Sequence, residues 1–245
     1  MKHIPVLLLI ALSGCLEDQP RVPMVTFVID DGRLTDYTVK KPIFDAKHAV
    51  AVSAVISRKR YLSDAQLLEM QADGWEIASH SRTHADEDSL SEAQLEDEIG
   101  GAKIDLEAIG LIVTTHVYPH GLTNFIAERV VRRHYQAGLT VGGPVNHAPF
   151  FLLALGRKNF GPAYAHAGED RLDYYEALVD SANHSGRWLI FMVHEVDSTS
   201  ALNLSRLLDY IQAHSIPIVT IRQGILKFYG VRPFGTRSAA AVTEP

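Results

Sequence analysis

Apolar residues arrive along this chain in short runs separated by stretches of helical spacing. The runs at 25–30, 49–56, 75–79, 112–117, 139–142, 188–193 and 216–221 have strand length, and their β-branched content suits a pleated, buried surface. Between them the spacing predicts helices over 63–72, 91–109, 125–134, 172–181 and 202–214. Ser63 and Ser91 stand where N-caps belong, because a hydroxyl there can accept amides that the first helical turn leaves unpaired. In the 91–109 segment, Leu95, Ile99 and Ile104 are expected on the buried face. Strands that alternate with helices pair in parallel through crossovers, so the expected class is α/β.

A chain of 245 residues, 47% hydrophobic and without an internal repeat, has enough apolar material for one large core rather than two small ones. Its start has a different character. Lys2, the apolar run 4–11 and the small residues Ser13 and Gly14 read as an export signal too short to span a bilayer. Leu12-Ser13-Gly14-Cys15 resembles a bacterial lipobox, and Cys15 is the only cysteine, which suits a lipid anchor better than a disulfide. The expected organisation is a signal peptide over 1–14, a lipidated N-terminus and tether over 15–23, a folded domain over 24–232 and a loose tail over 233–245. Leu16 and Glu17 follow the cysteine without an Asp directly after it, so the expected location is extracytoplasmic, on the outer membrane facing the periplasm. The net charge of −6 becomes −7 once Lys2 leaves with the signal, which argues against nucleic acid as a partner.

If the strands close into a barrel, their C-terminal ends meet on one rim, where parallel β/α barrels keep their chemistry. Four polar clusters fall there: Asp30-Asp31-Gly32, His80 with His84, Tyr118-Pro119-His120-Gly121, and His194. Adjacent carboxylates leaving an apolar strand repel one another and need a cation, strong donors or a shared proton. A solvated Asp-Asp-Gly turn is the bland alternative. His80 and His84 share a face if the segment coils into a helical turn; solvated surface histidines are an equally common reading of such a pair. Two imidazoles and a carboxylate leave coordination positions open, as a catalytic metal requires, and Zn²⁺ is the expected occupant, with Co²⁺ or another divalent ion as the alternative. His194 ends an apolar run, and alone it reads as a core histidine. Only the shared rim makes it a candidate.

Taken in order, Thr26-Phe27-Val28-Ile29-Asp30-Asp31-Gly32, His80-Ser81-Arg82-Thr83-His84, Tyr118-Pro119-His120-Gly121 and Phe191-Met192-Val193-His194 resemble the motifs of the polysaccharide deacetylases of the NodB-homology type, carbohydrate esterase family four. The resemblance runs from about Val25 to about Tyr229. It implies a distorted (β/α) barrel of about seven parallel strands, a divalent metal, and hydrolysis of N-acetyl groups on an N-acetylglucosamine-type glycan in or near the cell envelope. Carried onto this chain, it makes Asp30 the general base, Asp31, His80 and His84 the metal ligands, and His194 the general acid. It also puts an oxyanion-binding backbone N–H near His120.

The chain departs from the family pattern in three places. The third motif carries Val117 where an Arg that orients the catalytic Asp is usual, and His120 where a Tyr is usual. The Asp-Trp pattern of the fourth motif is missing, and the first motif is stretched by Val28 and Ile29. Arg157 is the candidate for the missing cation and for substrate contact; a surface Arg after a loop is the competing reading. The remaining histidines, among them His116, His134 and His214, read as surface or structural. Two other functions stay open: a weakly active or inactive glycan-binding protein on a degenerate deacetylase fold, and a deacylase for a non-sugar amide or an O-acetyl ester, which the same chemistry serves.

Overall fold

A computed structural model describes residues 23–229. The expected signal peptide, Cys15 and the 233–245 tail lie outside the described residues. Seven parallel strands form one sheet: β1 (Met24–Ile29), β2 (Val52–Val55), β3 (Glu76–Ser79), β4 (Thr115–Val117), β5 (Ala137–Leu139), β6 (Lys158–Phe160) and β7 (Trp188–Val193). Their order is β5-β4-β3-β2-β1-β7-β6. Helices α1 (Lys41–Asp45), α2 (Asp64–Ala72), α3 (Glu92–Leu95), α4 (Gly101–Glu107), α5 (Phe125–His134), α6 (Leu172–Ser185), α7 (Ser198–Ala213) and α8 (Ile221–Tyr229) complete the chain, and none is long and apolar enough to cross a membrane. The sheet curls so that its two edges meet. Leu155, just before β6, bridges Leu139 of β5: its amide donates to Gly138 O at 2.9 Å, and its carbonyl accepts from Thr140 N at 2.9 Å.

Strand alternation sorts the side chains into two apolar layers. Val25, Phe27 and Ile29 of β1, with Leu189, Phe191 and Val193 of β7, face outward and pack with residues of α2, α5, α6 and α7. Met24 and Val28, with Trp188 and Ile190, belong to a smaller cluster inside the curl, together with Val52, Ala78, Val117 and Leu139. Ile221 and Ile225 of α8 join that inner cluster at the N-terminal end of the strands.

The helix starts follow the capping chemistry. Ser63 Oγ accepts from Gln66 N while Gln66 Oε1 accepts from Ser63 N, the reciprocal pair that fixes the first turn of α2. Ser91 begins α3 with the same box. The expected 91–109 helix is α3, a π-helical turn over Glu96–Gly100, and α4. Leu95 and Ile99 are buried as expected, but Ile104 is exposed. It lies five residues beyond Ile99, about 140° around a helix, whereas Ala102 and Leu106 keep to the buried stripe.

The 216–221 strand is also corrected. Pro217 has no N–H to give to a ladder, and the segment makes only an isolated bridge, Ile218 with Val25, before α8 begins at Ile221. Its place among the seven is taken by β6, whose three residues, Lys-Asn-Phe, carry no apolar run to betray a strand.

Candidate active site

The inward face of each strand continues into the rim. On β1 the inward set Met24, Thr26, Val28 leads to Asp30; on β3 Ala78 leads to His80; on β7 Met192 leads to His194. The stretched first motif therefore keeps Asp30 in phase with the interior. Past the strand ends the backbone turns sharply: Asp31, Ser81, His84 and His120 have φ of 78, 62, 68 and 54°. Left-handed backbone at non-glycine residues costs about 1–3 kcal/mol each, and such strain concentrates at functional sites. The His80–His84 segment is not the helical turn expected from the spacing. The left-handed turns at Ser81 and His84 bring the two rings together, centroids 4.7 Å apart, and Ser81 Oγ holds the His84 amide at 2.8 Å.

Asp31, His80 and His84 converge. Asp31 Oδ1 lies 3.8 Å from His80 Nε2 and 3.7 Å from His84 Nε2, and one ligand atom from each residue falls within 4.8 Å of the others. These residues fit a divalent ion. His80 Nδ1–H donates to Val117 O at 2.7 Å, which fixes the tautomer and leaves the Nε2 lone pair facing the gap. Burial drives the His80 pKa down to about 4, against the opposing pull of Asp30 and of the Val117 carbonyl, so the ring is neutral and ready to ligate. His84 is shifted down as well, chiefly by burial. Arg33 donates from Nε and Nη2 to Asp31 Oδ2, at 3.2 and 3.1 Å, and turns Oδ1 toward the imidazoles.

Asp30 sits beside this trio, 3% exposed. Arg157, itself 2% exposed, reaches it from the residue before β6: Nη1 donates to Asp30 Oδ1 at 2.7 Å, and Nε is anchored on Thr140 O at 2.9 Å. Arg157 is thus no surface residue. Burial alone raises the Asp30 pKa, but the Arg157 guanidinium, His80, His194 and the hydrogen bond from Arg157 outweigh it and leave the carboxyl below its usual range. Asp30 Oδ2 faces His194 Nε2 at 3.8 Å. The His194 pKa is lowered, mainly by burial, and its Nδ1 is buried without a hydrogen-bond partner. Val117, at the usual position of the motif Arg, is fully buried in the inner cluster and contributes only its carbonyl.

All seven candidate site residues, Asp30, Asp31, His80, His84, His120, Arg157 and His194, line one cavity of about 720 Å³ at the C-terminal ends of the strands. His120 occupies the turn over Pro119–Gly121; its ring stands edge-on to His84, centroids 4.5 Å apart, with Nδ1 on Asp86 Oδ1 at 2.6 Å. Arg33, Asp86, Lys59, Tyr61 and Tyr164 escaped the sequence reading. The first two lie two residues beyond a metal-ligand candidate, a spacing that signals nothing unless the turn is known. Three of the bland histidines have partners: His116 is buried against Glu87 at 3.0 Å, His134 meets Glu96 at 2.6 Å, and His214 Nδ1 meets Tyr210 O at 2.8 Å.

A model of the polysaccharide deacetylase family matches residues 17–142, which include the first three motifs. The chain belongs to the polysaccharide deacetylase family. Among solved structures it is similar to the T48 deacetylase with substrate, with a TM-score of 0.64 at 17% identity over 84% of this chain and 92% of that one. It is equally similar to the Xyl-CE4 domain of a multidomain xylanase from the hindgut metagenome of Trinervitermes trinervoides, with a TM-score of 0.64 at 16% identity over 86% and 93%. A CE4-family pseudoenzyme from Bacillus anthracis aligns with a TM-score of 0.63 at 14% identity over 83% and 66%. No curated protein matches the sequence. At these identities the structural matches speak for the fold, a curled parallel β/α barrel. What this deacetylase-family chain does rests on its own side chains.

Proposed function

We propose that this chain is a metal-dependent hydrolase that removes N-acetyl groups from an N-acetylglucosamine-type glycan of or near the cell envelope. The observation that carries this reading is the convergence of a carboxylate and two imidazoles beside a second carboxylate and a third imidazole in one cavity. Asp31, His80 and His84 would hold the ion, Zn²⁺ by the chemistry of its donors and Co²⁺ or another divalent ion as the alternative. A bound divalent ion supplies Lewis acidity, acidifying water toward a pKa of about 7 and polarising the amide carbonyl.

The chain's own residues supply the proton transfers. Arg157 occupies Asp30 Oδ1, so Oδ2 is the atom left to take the proton of the attacking water. As water adds to the carbonyl carbon, the 119–121 turn at the cavity wall would offer the developing oxyanion a backbone donor near His120. The C–N bond then breaks, and His194 Nε2 protonates the departing nitrogen, releasing acetate and a free amine. Burial keeps His194 neutral beforehand. The proton it delivers is therefore one gained during the reaction, from water by way of Asp30, 3.8 Å away.

The test is metal content followed by acetate release from short N-acetylglucosamine oligomers, with Asp30→Asn and His194→Ala as controls. Each substitution is expected to cost on the order of a hundredfold or more in kcat. Uptake of zinc and glycan without acetate release under any metal or pH would instead favour a glycan-binding protein on a degenerate site. The lipobox supports an extracytoplasmic chain held on the outer membrane through lipidated Cys15; a Cys15→Ser chain that still incorporates labelled fatty acid would refute the anchor.

A further inference from the structure

We infer that the cavity wall on the β2 side is a subsite for a carboxylate-bearing sugar next to the N-acetylated one, built from Lys59, Tyr61 and Arg33. This rests on the deacetylase reading for the place of the reacting sugar, at Asp30 and His194. The loop after β2 reads Ser57-Arg58-Lys59-Arg60-Tyr61, a basic run in an acidic chain. Its cations are treated differently. Arg58 lies 3.6 Å from Asp105, and Arg60 is paired with Asp64. Lys59 lines the cavity and has no carboxylate within salt-bridge distance among the described residues; its Nζ donates to the Thr83 carbonyl at 2.7 Å, which leaves its charge unneutralised. Tyr61, 59% exposed, lines the same wall and offers an apolar ring face to a pyranose. Arg33 completes the group, with its charge already shared between Asp31 and Glu195.

Of the carboxylates not needed for the chemistry, Glu195 lies beside this group, 3.5 Å from Arg33, and accepts from Thr35 Oγ1 at 2.8 Å; Asp86 and Glu169 lie elsewhere. Asp86 is held by His120 past β4, and Glu169, in the segment between β6 and α6, accepts from the His166 amide and the Tyr174 hydroxyl. Two cavity-lining cations, Lys59 and Lys158, pair with no carboxylate among the described residues, Lys158 Nζ donating to Gly143 O at 2.6 Å. Lys59 is the one two residues from the exposed Tyr61 ring, and that pairing matches a monoanionic sugar carboxylate, which would replace water around Lys59. A neutral sugar offers that exposed charge no counter-charge, so the two classes of sugar differ at Lys59 by the electrostatic contact alone.

The experiment compares two disaccharides that share the same N-acetylhexosamine and differ in the second sugar, a hexuronic acid or the corresponding neutral hexose. The wild-type metal-loaded protein is expected to favour the acidic one in kcat/KM, with a preference that shrinks as salt rises. Lys59→Ala is expected to lower the acidic-to-neutral ratio about fivefold, and Lys59→Glu to invert it, both with unchanged thermal melting. Equal handling of the two sugars by wild type, or a ratio that Lys59→Glu leaves in place, overturns the subsite. If neither sugar releases acetate, calorimetric binding of the same pair decides the matter separately: an acidic preference lost in Lys59→Glu sustains the subsite while the deacetylase reading falls, and no preference overturns it.

Discussion

Single residues set the chemistry here, and Arg157 shows how. Its position was legible only as a cation between two strands; that it points inward follows from β6, which the sequence pattern does not reveal. Breaking a buried ion pair strands the remaining charge and costs about 3–5 kcal/mol, so Arg157→Ala alone confounds folding with catalysis. The double substitution Asp30→Asn with Arg157→Ala is expected to recover much of that stability in denaturant titration. Arg157→Lys keeps a charge but loses the fork, and a loss of on the order of a hundredfold in kcat/KM is expected, in line with a displaced base. With the guanidinium gone, burial dominates and the Asp30 pKa rises. The acid limb of the kcat/KM profile must then move to higher pH in Arg157→Ala; an unmoved limb with wild-type rate would remove Arg157 from the site. A second expectation concerns His80. An imidazole binds metal only when neutral, and His80 stays neutral until the pH falls toward about 4 rather than 6.5. Burial shifts both His80 and His84 down, so zinc affinity, measured by chelator competition, is expected to begin falling only below the ordinary imidazole value of about 6.5. A break at 6.5 or above would show that at least one of the two rings is not desolvated.

At the scale of elements, what the sequence revealed was what local chemistry dictates. The Ser63 box, the Ser91 box and the ends of α5 were legible because capping residues and periodicity act within one turn. The segment from Ser81 to Ser89 was not, because its shape comes from left-handed turns and from contacts made by distant residues. Glu98 accepts from the Arg82 and Thr83 amides at 3.1 and 2.9 Å, buried His116 meets Glu87, and Asn124 Nδ2 donates to Asp88 O at 2.8 Å. Asn124 has two tasks, since its Oδ1 also accepts from Ile126 N and Ala127 N, each at 2.9 Å, at the start of α5. Asn124→Ala is expected to cost about 1 kcal/mol, which for a chain of this size lowers Tm by roughly 2–4 °C. Asn124→Asp keeps the cap acceptor and loses the Nδ2 donor, so it should restore most of the melting temperature. Equal melting losses in both variants would mean that the tie to Asp88, not the cap, provides the stability.

For the molecule as a whole, closure of the curled sheet links stability to the active site at one end and not at the other. The chain that closes it, Leu155 to Arg157, lies against β5 on one side and delivers the guanidinium to Asp30 on the other. Gly138 of β5 makes room for that chain: a Cβ there would come within 2.7 Å of Leu153 O and 2.7 Å of the Tyr118 hydroxyl. Backbone at such a distance must shift, and Arg157 shifts with it. At the opposite end Gly224 of α8 lies under Trp188, where a Cβ would come within 2.5 Å of the indole Cζ2. That indole is fully buried and donates to Thr26 Oγ1 at 2.9 Å. Both substitutions to Ala overpack a dense interior, which typically costs about 1–3 kcal/mol. Their effects on turnover should differ. Gly138→Ala is expected to lower kcat per folded molecule by about tenfold or more, since misplacing a catalytic group by 1 Å can cost about a hundredfold. Gly224→Ala should lower Tm while leaving kcat per folded molecule at the wild-type value. Active-site titration combined with thermal melting separates the two. If Gly138→Ala loses stability but keeps full turnover, ring closure holds the barrel together without aiming Arg157, and the coupling between the sheet edge and Asp30 is absent.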